Sequence, residues 1–87
     1  MESSVSRLTL QQLRWRCRRG VRELDVLFGR FLDETYATLS EDQQIAFERF
    51  LNEQDPRIMD WLFDKSAPND DEFVELVNLL RDQSGLS

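Results

Sequence analysis

The chain has 87 residues, 40% of them hydrophobic, with six Phe, two Trp and one Tyr: enough for one small core and too short for a second domain. It contains no His and a single Cys, Cys17, which excludes His-based triads, His-ligated metals, paired-cysteine redox or zinc sites and any internal disulfide. The net charge of −6 is unevenly spread: residues 1–22 carry six arginines against Glu2, a balance of +5, and the other 65 residues carry five basic groups against sixteen acids, a balance of −11.

Period-two alternation is absent and helical periodicity recurs five times, so the sequence predicts an all-α fold, a single compact five-helix bundle spanning 1–87 with its core at about 7–82. Thr9-Leu10-Gln11-Gln12 matches a capping box and opens the first helix, with Leu10, Leu13 and Cys17 on one face and Gly20 as its stop. The second helix is predicted over Val21–Ala37, its inner face made of Leu24, Leu27, Phe28, Phe31 and Leu32. Ser40-Glu41-Asp42-Gln43 is a second capping box and starts a helix that buries Ala46, Phe47, Phe50 and Leu51.

Asp55-Pro56 restarts the chain, with Asp55 as the cap and Pro56 at the first helical position. Ile58, Met59, Trp61, Leu62 and Phe63 cover more than half of that short helix, which predicts the most enclosed element and a core Trp61. After the Ala67-Pro68-Asn69 turn, Asp70-Asp71-Glu72 places negative charge at the positive end of a fifth helix. That helix turns Phe73, Leu76, Val77 and Leu80 inward and closes at Ser84-Gly85.

Chemistry is scarce. The acids offer no diagnostic spacing for acid–base catalysis, so the chain is not expected to be an enzyme and has no catalytic residue to assign. Cys17, in phase with Leu10 and Leu13, is expected to be buried rather than nucleophilic, and the Asp70-Asp71-Glu72 run lacks the alternating ligands of a calcium loop, so no metal site is expected. No run is apolar enough to span a bilayer and no secretory signal is present; the Arg- and Ser-rich start imitates a mitochondrial transit peptide, but its removal would delete Leu10, Leu13, Cys17 and Val21. The arginines of residues 1–22 can pair with the acidic helices of their own fold or face a partner, and the sequence leaves both open.

The informative stretch is Arg18-Arg19-Gly20-Val21-Arg22-Glu23-Leu24-Asp25. At 100° per residue Glu23 falls beside the apolar stripe, near Arg30 and Glu34, on a face that should be solvated. Taken alone, Glu23 can equally be an acceptor for N–H groups at the start of the second helix, with Gly20 merely permitting the turn.

Arg19-Gly20-Val21-Arg22-Glu23 resembles the RGxxE motif of the small FAD assembly factors of succinate dehydrogenase, the SdhE family, known in mitochondria as succinate dehydrogenase assembly factor 2. Glu23-Leu24-Asp25 is similar to that family's continuation ELD, and Asp55-Pro56 followed by Asp60-Trp61-Leu62 resembles its DPxxxxWL segment; the likeness spans roughly residues 7–82. The resemblance implies a five-helix domain that binds the flavoprotein subunit of succinate dehydrogenase, and of fumarate reductase, and promotes covalent attachment of FAD to a histidine there. It further implies a partner-binding patch of Arg16, Arg18, Arg19, Gly20, Arg22 and Glu23, in which Arg19 is a cationic anchor, Gly20 allows close approach and Glu23 orients groups of the partner. No cofactor is expected to be held stably, because there is no GxGxxG loop and no histidine acceptor; the chain would act on FAD carried by its partner.

A bacterial, cytoplasmic monomer without nucleic-acid binding or membrane insertion is the expectation. Exposed Trp15, off the first helix's stripe, could serve a dimer or the partner interface. The alternatives are an antitoxin-like regulatory module, a description some bacterial relatives have carried, and a phosphate binder working through the first helix.

Overall fold

The computed structural model describes residues 8–84. Five α-helices follow one another: α1 Leu10–Arg16, α2 Arg22–Glu34, α3 Glu41–Phe50, α4 Asp55–Leu62 and α5 Asp71–Ser84, with a single 3₁₀ turn at Tyr36–Thr38. Among the described residues there is no strand, so the all-α bundle anticipated from the periodicity is the fold. Gly85 and Arg7 lie outside the described residues.

Local signals fixed two helix starts. Thr9 and Ser40 each accept the N–H three residues on, from Gln12 and Gln43, and those glutamine side chains accept the N–H of Thr9 and Ser40 in return. At α5 the cap is Asp70, which takes the N–H of Glu72 at 2.8 Å. Arg49 of α3 then pairs with Asp70 and Glu72 at 3.2 and 2.7 Å and lies 5.0 Å from the centre of the Phe73 ring.

The helices meet on a run of aromatic rings. Phe47 touches Phe28, Phe31 and Tyr36, with centroids 5.0–6.2 Å apart, and Phe28 passes the contact to Phe50 at 6.2 Å. Phe50 meets Trp61 and Phe73 at 5.6 and 5.3 Å, so residues of α2, the 3₁₀ turn, α3, α4 and α5 are joined through two phenylalanines of α3. Phe28, Phe31, Phe47 and Phe50 are wholly buried, as are the expected inward faces of α2, α3 and α5. Edge-to-face pairs of this kind add about 0.5–1.5 kcal/mol each beyond area burial.

Four details depart from the periodicity. α1 stops at Arg16 rather than running to Gly20, because the N–H groups of Arg19 and Gly20 go to the Asp25 carboxylate instead of to carbonyls of the preceding turn. Leu10 is 59% exposed, so the inner face of α1 is only Leu13 and Cys17, and Val21 caps α2 half-buried. α2 ends at Glu34, where Thr35 and the 3₁₀ turn swing Tyr36 onto Phe47 while its carbonyl accepts from Gln44. α4 is not the most enclosed element: Ile58, Trp61 and Leu62 are buried, but Met59 is half-buried and Phe63 is 46% exposed.

The start and the end of α4 are informative. Gln54 is the N-cap, Asp55 the first helical residue and Pro56 the second, because the Asp55 carboxylate is engaged elsewhere and makes no cap bond. At the other end Asp64 is left-handed, φ +62°, with Lys65 N–H on the Asp60 carbonyl and Asp64 N–H on the Trp61 carbonyl. This is a Schellman closure whose left-handed position usually carries glycine. Asp64→Gly should therefore raise stability by about 0.5–1 kcal/mol, read as a higher urea midpoint at unchanged slope.

Candidate functional site: the fastened loop between α1 and α2

Residues 17–21 join α1 to α2 without helical hydrogen bonding of their own, and their shape is imposed from both sides. From α2, the Asp25 carboxylate accepts the N–H of Arg19 at 2.5 Å and of Gly20 at 3.3 Å. From the corner between α3 and α4, four acceptors close on the Arg19 guanidinium. Its Nε donates to Asp55 at 2.7 Å, Nη1 to the carbonyls of Leu51 at 2.6 Å and Arg16 at 3.2 Å, and Nη2 to the carbonyl of Glu53 at 2.5 Å. The Arg19 side chain is only 12% exposed. Four of its five N–H donors are thus placed, at the carbonyl end of α3, where a cation is favoured by the helix dipole.

The fastening sorts the six sequence-predicted residues. Arg19 has its charge spent inside the fold. Arg16 is exposed and donates to the Asn52 side chain at 2.7 Å. Arg18, Arg22 and Glu23 are exposed, and among the described residues none of the three has a hydrogen-bond or ion-pair partner. Gly20 sits at φ +83°, and a methyl group built there would meet nothing within 4 Å. Gly20 is therefore required by backbone conformation rather than by crowding within the chain, and its outer side is open.

Of the two readings left open for Glu23, the capping one is not realised. Val21 caps α2 with no side-chain bond, and the N–H groups just before α2 go to Asp25. The N-terminal charge is also partly neutralised: Arg14 pairs with Asp33 and Arg19 with Asp55, so the free cations flanking Gly20 are Arg18 and Arg22. Trp15, 68% exposed, stands beside Arg16 and Arg18 along a shallow depression that continues to Asp55 and Pro56.

Asp25 and Asp55 were missed as members of the site. The signal was present, since both belong to the segments Glu23-Leu24-Asp25 and Asp55-Pro56, but nothing in either segment says that Arg19 joins them. Cys17, expected to be buried, is 3% exposed. Desolvation pushes its thiol from an ordinary 9.0 up to about 11, against the opposing pull of Arg19 and Arg14. It is a packing residue with negligible thiolate near neutrality. Among the described residues no three of His, Cys, Asp and Glu cluster to hold a metal ion, and no helix is long and apolar enough to cross a membrane.

Five helices on one aromatic core, with a fastened loop presenting free charges beside an open glycine, define a small helical domain built to display that loop. Comparison with known proteins gives it a family. Residues 11–84 match the family described as flavinator of succinate dehydrogenase. The FAD assembly factor SdhE of Coxiella burnetii is 34% identical over 77 residues, 88% of this chain and 94% of that one. The SdhE of Colwellia psychrerythraea is 40% identical over 78 residues, 90% and 86% of the two chains, and that of Idiomarina loihiensis 40% over 70 residues, 80% and 78%. The chain belongs to the SdhE family of FAD assembly factors, as the RGxxE resemblance indicated.

Two outcomes follow from this geometry. Arg19→Ala strands two carbonyls and the Asp55 carboxylate and should cost about 2–4 kcal/mol in urea denaturation, whereas Arg18→Ala should stay within about 0.5 kcal/mol. For Cys17 the folded state holds its proton to higher pH than the unfolded chain does. The stability this group supplies is full below about pH 8.5 and is lost as pH rises towards 11. Cys17→Ala should flatten the fall of the urea midpoint over that window.

Proposed function

We propose that this chain binds the flavoprotein subunit of succinate dehydrogenase, and by the same surface that of fumarate reductase, and promotes covalent attachment of FAD to it. The observation that carries this reading is Glu23: an exposed carboxylate with no partner inside the chain, held one turn from an open, left-handed Gly20 by a loop fastened at Asp25 and Asp55.

Attachment requires the flavin methyl to lose a proton and an imidazole to attack it while negative charge gathers on the ring system. With no histidine, this chain cannot supply the acceptor, so the bond forms within the partner and the FAD is the partner's cargo. What a helper of this size can contribute is orientation and a fixed electrostatic environment. Gly20 lets the partner's backbone come close, Glu23 accepts hydrogen bonds from partner groups near the attachment site, and Arg16, Arg18 and Arg22 extend the contact as exposed donors. Arg19 serves the patch from within, by holding the loop in shape. The chain acts as a cytoplasmic monomer in this reading and keeps no FAD of its own.

Removing an exposed, unpartnered carboxylate should not disturb folding. Glu23→Ala should keep wild-type helical circular dichroism and thermal midpoint, yet lower covalent flavin on the flavoprotein subunit by about tenfold or more in cells lacking the native factor, read by in-gel flavin fluorescence. Gly20→Ala should lose about 1–2 kcal/mol of stability from its left-handed backbone and also lower flavinylation. Unchanged fluorescence with both variants would refute the assignment.

A further inference from the structure

A groove of about 540 Å³ lies between α2 and α4. Its floor is the buried Leu24, Leu27 and Leu62, and Val26, Met59 and Phe63 also line it. Val26 is 62% exposed and Phe63 keeps nearly half its surface in water, although both are large and apolar. Single exposed apolar residues are ordinary; two lining the same groove over an aliphatic floor mark a place where something docks.

One end is bounded by Arg22 and Glu23, the other by Gln83, whose amide donates to the Leu27 carbonyl and whose carbonyl accepts from the Thr35 hydroxyl. Arg30 also borders the groove but is paired with Glu34 at 3.2 Å. From Arg22 to Arg30 the helix rises about 12 Å, the length of three or four extended residues. The groove is thus continuous with the carboxylate that the proposed function uses. Glu23 has no counter-ion in this chain, so a partner that seals the groove must bring a cation or leave a desolvated charge unpaired. Arg22 beside it disfavours a second cation.

We infer that this groove receives a short extended segment of the flavoprotein subunit, which places one bulky apolar side chain against Val26, Met59 and Phe63 and one neighbouring Lys or Arg against Glu23. The inference rests on the proposed docking of Glu23 and adds the chemistry of what docks there.

The test uses the full chain and the separately purified flavoprotein subunit of succinate dehydrogenase, with affinity measured by calorimetry. Val26→Asp, at an exposed site, should weaken binding by about tenfold or more. Val74→Asp, at an exposed valine of α5 outside the groove, should change it by less than about twofold. A photocrosslinking amino acid in place of Phe63 should capture a segment with a bulky apolar residue next to Lys or Arg. Wild-type binding that Val26→Asp leaves intact, or a captured segment without a basic neighbour, overturns the groove assignment while leaving the docking of Glu23 standing. Self-association of the chain that Val26→Asp abolishes gives the groove to a second copy and overturns it as well. Failure of the wild-type chain to bind the subunit at all refutes both readings.

Discussion

One guanidinium decides the form of this molecule's functional end. Arg19 is drawn out of water and met by a carboxylate and three carbonyls, from Asp55, Leu51, Glu53 and Arg16. A desolvated cation is tolerable only when its donors are matched, and here four of five are. The consequences run outward. The loop after α1 is pinned to the α3–α4 corner, Asp55 is diverted from capping α4, and Asp25 holds the loop's backbone from the opposite side. Lysine could not substitute, because a point charge with three donors does not span acceptors arranged in a plane.

The aromatic run and the guanidinium divide the work. Phe28, Phe47 and Phe50 bring the helices together through a non-directional force proportional to area, which fixes which faces turn inward but tolerates small rotations. Arg19 and Asp25 act directionally, at single atoms, and set the one stretch of chain that has no helical hydrogen bonds to define it. A domain of this size has little stability to spare, so a loop whose ordering would otherwise cost about 1–2 kcal/mol per residue must be held by strong, charge-assisted bonds. The ordering leaves Gly20, Arg22 and Glu23 facing outward with nothing in the chain to satisfy them, beside a groove whose apolar rim is left uncovered. That is the form expected of a domain that works by meeting another protein, consistent with its membership of a family of assembly factors.

Much of this was legible in the order of residues. Two capping boxes gave the starts of α1 and α3 to the residue, since their bonds reach only three positions along the chain. The stripes of α2, α3 and α5 gave their buried faces, since 3.6 residues per turn is a local property. The burial of Cys17, the accessibility of Glu23 and the need for positive φ at Gly20 followed from the same local rules, and RGxxE with its companion segments gave the family.

The tertiary structure alone decided which charges are spent. Arg18 and Arg19 are adjacent and chemically identical, yet one is exposed and unpartnered and the other anchors three segments of chain, because acceptors 32 to 36 residues away happen to converge on only one of them. The same long-range placement ended α1 early, moved Asp55 from cap to counter-ion, and left Leu10 and Phe63 in water although their spacing put them on apolar faces. Periodicity reports that a face is apolar; whether another helix arrives to cover it depends on contacts between residues distant in sequence, which no local pattern encodes.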